Sequence, residues 1–199
     1  DDLAARDLRQ REATPLPLPP GTVCASLAAL PGDGGVLCAV PEGATALHRA
    51  GLPPLRVSDE EANPAVAGSV PWLHERRGLS SLTFAVDGGV EKDAVGLSSQ
   101  RDGGLLGLSS GDVVNLKSSS VARFRAGVGL VGEVTLGQRP FAAAASDDEA
   151  RLLTASPQQL CVLELPPTTR PAACRSNSAK VVGASPGGLY LLGSLGSVP

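Results

Sequence analysis

Glycine and proline constrain this chain more than any other residues. They number 24 and 17 among 199, and they interrupt every apolar run before three helical turns could form. Proline removes a backbone donor and clashes with the turn before it, while glycine costs about 1 kcal/mol in a helix interior. What survives between them is a series of short apolar runs, the length of strands joined by tight turns. Apolar residues make up 42% of the chain, enough to build a core at this size and too much for a wholly disordered protein. A formal net charge of -3 excludes binding to nucleic acid or anionic lipid by bulk electrostatics. No run approaches the roughly 18 apolar residues of a membrane-spanning helix.

The runs recur with matching punctuation. Val23 to Leu30, the turn Pro31-Gly-Asp-Gly-Gly35, Val36 to Val40, the turn Pro41-Glu-Gly43 and Ala44 to His48 make a first unit. A second runs from Ala94 to Ser99, through Arg101-Asp-Gly-Gly104, to Leu105–Leu108, Ser110-Gly-Asp112 and Val113–Leu116. A third joins Phe141–Ala145, Ser146-Asp-Asp-Glu149, Arg151–Thr154, Ser156-Pro157 and Leu160–Leu165, and a fourth Lys180–Ala184, Ser185-Pro-Gly-Gly188 and Leu189–Leu192. The last three are spaced by about 40 to 45 residues, the interval of a four-stranded repeat. Strands as apolar as Leu160-Cys-Val-Leu-Glu-Leu165 suit sheets covered on both faces. Ser118 to Gly137, like Gly51 to Leu82, reads as a degenerate unit or an insertion, in which Val121–Phe124 and Glu133–Leu136 each read as an outer strand. Gly51 to Leu82 breaks the rhythm and reads as a degenerate unit with a long loop, or as an insertion. Ahead of the repeats, Asp1 to Ala13 reads as a short charged helix with Leu3 and Leu8 on its apolar stripe. Thr14 to Pro20 reads as an extended proline-rich arm.

Three segments carry a family resemblance: Pro31-Gly-Asp-Gly-Gly-Val-Leu-Cys-Ala-Val40, Asp102-Gly-Gly-Leu-Leu-Gly-Leu108 and Ala150-Arg-Leu-Leu-Thr-Ala155. They resemble the part of the WD-type β-propeller repeat in which an Asp-Gly turn joins a blade's inner two strands. Thr45–His48 and Cys161–Leu165 look like the strand that follows. No Gly-His dipeptide occurs and no Trp-Asp dipeptide closes a unit, so the hydrogen-bonded tetrad of that family has no place here. The resemblance implies an all-β array of short antiparallel sheets: residues 1–20 as helix and arm, and 21–199 as about four to five blades of a partial or incomplete ring. It also implies scaffolding. A non-catalytic protein–protein interaction module within a larger assembly is therefore expected, with other protein subunits as partners and no cofactor, metal, nucleic acid or small-molecule substrate.

Motifs for chemistry are sparse. Gly107-Leu-Ser-Ser-Gly111 matches the nucleophile elbow, but that motif needs a strand-to-helix turn and a later histidine, and no histidine follows His74. Gly127-Val-Gly-Leu-Val-Gly132 matches a dinucleotide fingerprint without the helix that would hold the pyrophosphate, and reads as a bulged strand or loop. The acidic runs Asp59-Glu60-Glu61 and Asp147-Asp148-Glu149 lack EF-hand spacing. Trp72-Leu-His-Glu-Arg-Arg77 holds the sole tryptophan in a loop-like setting. Since Trp and Arg are enriched at binding hot spots, Trp72, His74, Arg76 and Arg77 are the expected partner contacts. Cys24, Cys38, Cys161 and Cys174 form two locally spaced pairs. As free thiols they would be small core residues of an intracellular scaffold. As Cys24–Cys38 and Cys161–Cys174 disulfides they would mark the alternative, a processed, secreted β-domain hydrolase or ligand-binding protein. Methionine is absent, position 1 included, which reads as a processed product or excised piece.

Overall fold

The computed structural model describes residues 4–7, 12–32, 34–85, 89–96, 104–165, 173–176, 181–184 and 191–193, and these contain strands, turns and no helix. The chain begins with a hairpin of β1 (Ala4–Asp7) and β2 (Glu12–Pro15). Sheet 1 follows with β3 (Ser26–Ala29), β4 (Val36–Ala39), β5 (Thr45–His48) and β6 (Leu55–Ser58). Sheet 2 holds β7 (Asn63–Ala67), β8 (Val70–Glu75), β9 (Gly78–Phe84) and β10 (Val90–Gly96). Sheet 3 holds β11 (Leu105–Gly107), β12 (Val113–Leu116), β13 (Ser120–Arg125) and β14 (Gly129–Thr135). Sheet 4 holds β15 (Ala142–Ala145), β16 (Arg151–Ala155), β17 (Gln159–Glu164) and β18 (Ala173–Ser176). A last hairpin pairs β19 (Val181–Ala184) with β20 (Leu191–Gly193).

Each four-stranded sheet is a simple antiparallel meander, and the sheets pack in chain order. Strand β7 lies beside β3 on one side and β11 on the other, and β19 lies against β15 and β16. First strands thus neighbour first strands, the arrangement of blades around an axis. They are built of small residues: Ala28, Ala29, Ala65, Ala67, Gly107 and the four alanines of β15. Gly107 shows why. A Cβ there would stand 1.9 Å from the Val66 carbonyl oxygen and 2.7 Å from its carbon, so β7 and β11 meet where no side chain fits. In the β7–β8 turn, Gly68 has φ +53°, and a Cβ on it would meet the Ser109 carbonyl oxygen at 2.5 Å.

Strand alternation sends neighbouring side chains into different cores. On β8, Leu73 joins Leu37, Leu47, Val57, Ala62 and Leu82 between sheets 1 and 2. Trp72 turns the other way, into Ala65, Ala67, Leu79, Val113, Ala122 and Phe124 between sheets 2 and 3. On β12, Val113 faces back into that cluster, while Val114 joins Leu116, Val121, Val134, Leu152 and Leu163 between sheets 3 and 4. All four residues of β4 and of β12 are buried, as expected of strands covered on both faces. The outer strands share a device that composition hides. Opposite the third strand of sheets 1, 2 and 3, Val57, Val95 and Val131 are each the extra residue of a β-bulge. Bulges bend an outer strand and blunt its free edge.

Several expectations are corrected. The described parts of the stretch 1–13 are strand, not helix: Ala4–Asp7 pairs with Glu12–Pro15. A short helix with so narrow an apolar stripe has too little to hold it. Residues 51–82 are neither an insertion nor a degenerate unit. They complete sheet 1 and build most of sheet 2, with Pro64 in a first strand and Pro71 where β8 begins. Arg101-Asp-Gly-Gly104 does not join the inner strands of one sheet, since it falls between β10 and β11; residues 101–103 lie outside the described residues. The turn that does so in sheet 3 is Ser109-Ser-Gly111. All four cysteines are bonded, Cys24 to Cys38 and Cys161 to Cys174, where free thiols were the favoured expectation.

Candidate interaction face

Meander topology divides the turns between two ends of the stack. First-to-second and third-to-fourth strand turns lie at one end, the hairpin end. Second-to-third turns and the connections between sheets lie at the other, the connection end.

At the hairpin end the turn of residues 108–112 ties three sheets together. The Trp72 indole Nε1–H donates to the Gly111 carbonyl at 3.1 Å from sheet 2. From sheet 4, Glu149 accepts from the Ser109 hydroxyl at 2.6 Å and the Ser110 N–H at 2.9 Å. Within sheet 3, Asp112 accepts from Arg123 Nε at 2.7 Å and Arg125 Nε at 2.9 Å, and Arg123 also lies 3.8 Å from Glu149. Asp112 and Arg123 are 2% and 7% exposed, so each neutralises a charge that would otherwise be buried alone. Gly107-Leu-Ser-Ser-Gly111 is therefore a strand–turn–strand corner whose first serine is engaged by Glu149. Gly127 to Gly132 is the β13–β14 turn and the bulged start of β14, as read from the sequence.

Burial alone would raise the pKa of Asp112, but hydrogen bonds from Arg125 and Arg123 outweigh it and lower the value. For Glu149, burial likewise raises, and the hydrogen bonds from Ser109 and Ser110 bring the net value down. Depressed carboxylates stabilise the fold above their ordinary values, near 3.8 and 4.5, and the contribution is lost as pH falls through the folded-state values. The urea midpoint should accordingly be flat from neutrality to about pH 5 and fall below about pH 4. In Asp112→Asn/Glu149→Gln it should start lower and fall less; a wild-type midpoint that rises on acidification would contradict the assignment.

Of the residues expected to contact a partner, Arg76 and Arg77 lie at the connection end. Trp72 and His74 do not reach it as surface groups: both are 0% exposed, because the segment is strand β8 rather than a loop. Only Arg76 and Arg77, in the β8–β9 turn, are presented to solvent. That turn is held in place, since the Arg76 N–H donates to the Glu60 carboxylate at 2.5 Å. Thr45 Oγ1 donates to the Glu60 carbonyl at 2.9 Å, and Glu61 accepts from the Glu42 N–H at 2.9 Å. Glu60 thus links sheets 1 and 2, while Asp59 pairs with Arg56 at 2.8 Å and Glu61 holds the β4–β5 turn. Among the described residues no three His, Cys, Asp or Glu side chains are grouped to hold a metal ion.

The same end carries a feature that sequence reasoning missed. A groove of about 380 Å³ is lined by Gln138, Arg139, Phe141, Pro157 and Gln158. The Gln138 amide donates to Gln158 at 2.7 Å and accepts from the Ser156 hydroxyl at 2.9 Å. The Phe141 N–H reaches the Ala155 carbonyl at 2.8 Å, which fixes the backbone while the ring stays 47% exposed. The only signal available in sequence was an aromatic residue right after Gln-Arg-Pro, in a chain with three phenylalanines. A second groove, of about 480 Å³ at the hairpin end, lies over Leu30, Pro31, Val70, Pro71 and Phe84.

Comparison with known proteins bears on the fold. A virginiamycin B lyase from Staphylococcus aureus superposes with a TM-score of 0.56 at 10% identity, over 78% of this chain and 55% of that one. A protein from Lactobacillus plantarum gives 0.55 at 15% identity, over 87% and 60%. PorZ, a surface component of the type-IX secretion system of Porphyromonas gingivalis, gives 0.56 at 16% identity, over 82% and 25%. The likeness is one of fold. All-β, propeller-like sheets are what these chains share with this one, and this chain spans less than two thirds of each. No family model matches the sequence, and no curated protein matches it either.

Proposed function

We propose that the protein is a non-catalytic protein-binding module that works through its connection end, as part of a larger assembly. The observation that carries this reading is the half-exposed Phe141 ring, set in a groove with Arg139 and Pro157 at the end that also presents Arg76 and Arg77. An aromatic anchor in a recess with an arginine beside it is the composition of an interface hot spot. The repeats are read as a divergent form of the WD type, and the partner as protein rather than nucleic acid, given the net charge of -3.

One observation favours a second reading, a processed and secreted β-domain. Both disulfides suit an oxidising compartment, and that location is compatible with a binding role as well as with a hydrolase. The discriminating experiment is affinity capture from the extracellular and the soluble intracellular fractions with wild type and Phe141→Ala. Phe141→Ala should leave the thermal midpoint within about 2 °C, as an exposed side chain usually does, yet weaken the captured complex about tenfold or more. Unchanged affinity in Phe141→Ala and in Arg76→Ala/Arg77→Ala would remove the connection end from consideration.

A further inference from the structure

The two disulfides sit in unlike surroundings. Cys24–Cys38 fastens the approach to β3 onto β4, and Cys38 is fully buried. Cys161–Cys174 joins β17 to β18, the outermost strand of sheet 4, where the two residues stand directly opposite in the strand register. All four residues of β18, Cys174 included, are exposed. The strand has four register pairs, with Gln159, Leu160, Cys161 and Val162; Cys161 itself is 3% exposed, so the difference between the two disulfides lies in the exposed Cys174 against the half-buried Cys24. A short exposed outer strand of that kind gains little from burial and depends on its cross-strand links.

We propose that Cys161–Cys174 is a reducible latch: a dithiol reductant opens it while Cys24–Cys38 stays closed, and opening frees β18 from β17. A thiolate of the reductant attacks Sγ of Cys174, the more exposed residue of the pair. Cys161 Sγ leaves as a thiolate and takes up a proton, and a mixed disulfide forms on Cys174. The second thiol of the reductant then resolves that bond, leaving two cysteine thiols and one oxidised dithiol, a balanced two-electron exchange. Reach by the attacking thiolate governs the rate, and only this disulfide has an exposed strand at one end. What opening uncovers is the backbone of β17. The Cα atoms of Cys161 and Cys174 are 4.1 Å apart, the spacing of a non-hydrogen-bonded antiparallel pair, so the neighbouring residues Leu160 and Val162 direct their N–H groups at β18.

The test is made on the folded chain with dithiothreitol as the probe, followed by maleimide labelling and hydrogen exchange read by peptide. Cys161 and Cys174 are expected to label about tenfold faster than Cys24 and Cys38, and exchange at 159–164 should rise about tenfold while β4 and β12 keep their protection. Cys161→Ser/Cys174→Ser should show the raised exchange without reductant. Release of all four thiols together, or of Cys24 and Cys38 first, overturns the proposal. So does an opened Cys161–Cys174 bond with exchange at 159–164 unchanged.

Discussion

Trp72→Ala is expected to lower the unfolding free energy by about 3–5 kcal/mol, the range for removing a large buried aromatic side chain. The indole is 0% exposed among Ala65, Ala67, Leu79, Val113, Ala122 and Phe124. Four of its six neighbours there are alanine or valine, which cannot move in to fill the space. The Gly111 carbonyl also loses its donor, and an unsatisfied buried acceptor adds a cost of about 1–3 kcal/mol. Stabilities of single domains are about 5–15 kcal/mol, so one substitution would remove a large share. Trp72→Phe, which keeps an aromatic ring and drops the indole N–H, should cost distinctly less. Urea unfolding followed by circular dichroism checks both, since the substitution removes the only tryptophan fluorophore. A loss under about 1 kcal/mol for Trp72→Ala would mean that sheets 2 and 3 are not joined as described.

Gly107→Ala should be nearly as damaging, although it adds a single methyl group. The added Cβ would meet the Val66 carbonyl oxygen at 1.9 Å, its carbon at 2.7 Å and the Ala67 Cα at 3.1 Å. All three are backbone atoms of β7, so no side chain can swing aside. Overpacking costs about 1–3 kcal/mol where neighbours can shift, and here the first strands themselves must part, which sets the expected loss at about 3 kcal/mol or more. Gly104→Ala is the control, because a Cβ there meets nothing within 4 Å; it should be neutral within about 0.5 kcal/mol. Thermal unfolding of the two variants side by side decides the matter, and equal midpoints would refute the close approach of β7 to β11.

Strands were legible wherever turn residues bracketed an apolar run. Val36–Ala39, Thr45–His48 and Val113–Leu116 were read almost to the residue, because glycine and proline act locally. Sheet 2 was not. Pro64 and Pro71 lie inside strands there, and the polar end of β8 and the charged run Glu91-Lys92-Asp93 within β10 mask their pattern. His74 looks like a loop residue in sequence but is buried in the stack. The division of Trp72 and Leu73 between two cores follows from strand alternation only once the segment is known to be a strand. The phase of the repeat was also hidden: Asp102-Gly103 and Ser110-Gly111 are equally good corners, and only pairing shows which one joins a sheet's first two strands. Phe141 could not be ranked without its exposure, nor the cysteine pairs settled without their separation. The serine elbow and the glycine fingerprint, by contrast, have flanks whose strand-like character depends on neighbours in sequence alone.

The three hydrophobic clusters do not merge; each belongs to one seam between consecutive sheets. Free energy in such an array resides in couplings between adjacent members, so its melting is governed by the weakest seam rather than by a global average. Loosening the seam between sheets 2 and 3 leaves sheet 2 packed on sheet 1 and sheet 3 packed on sheet 4.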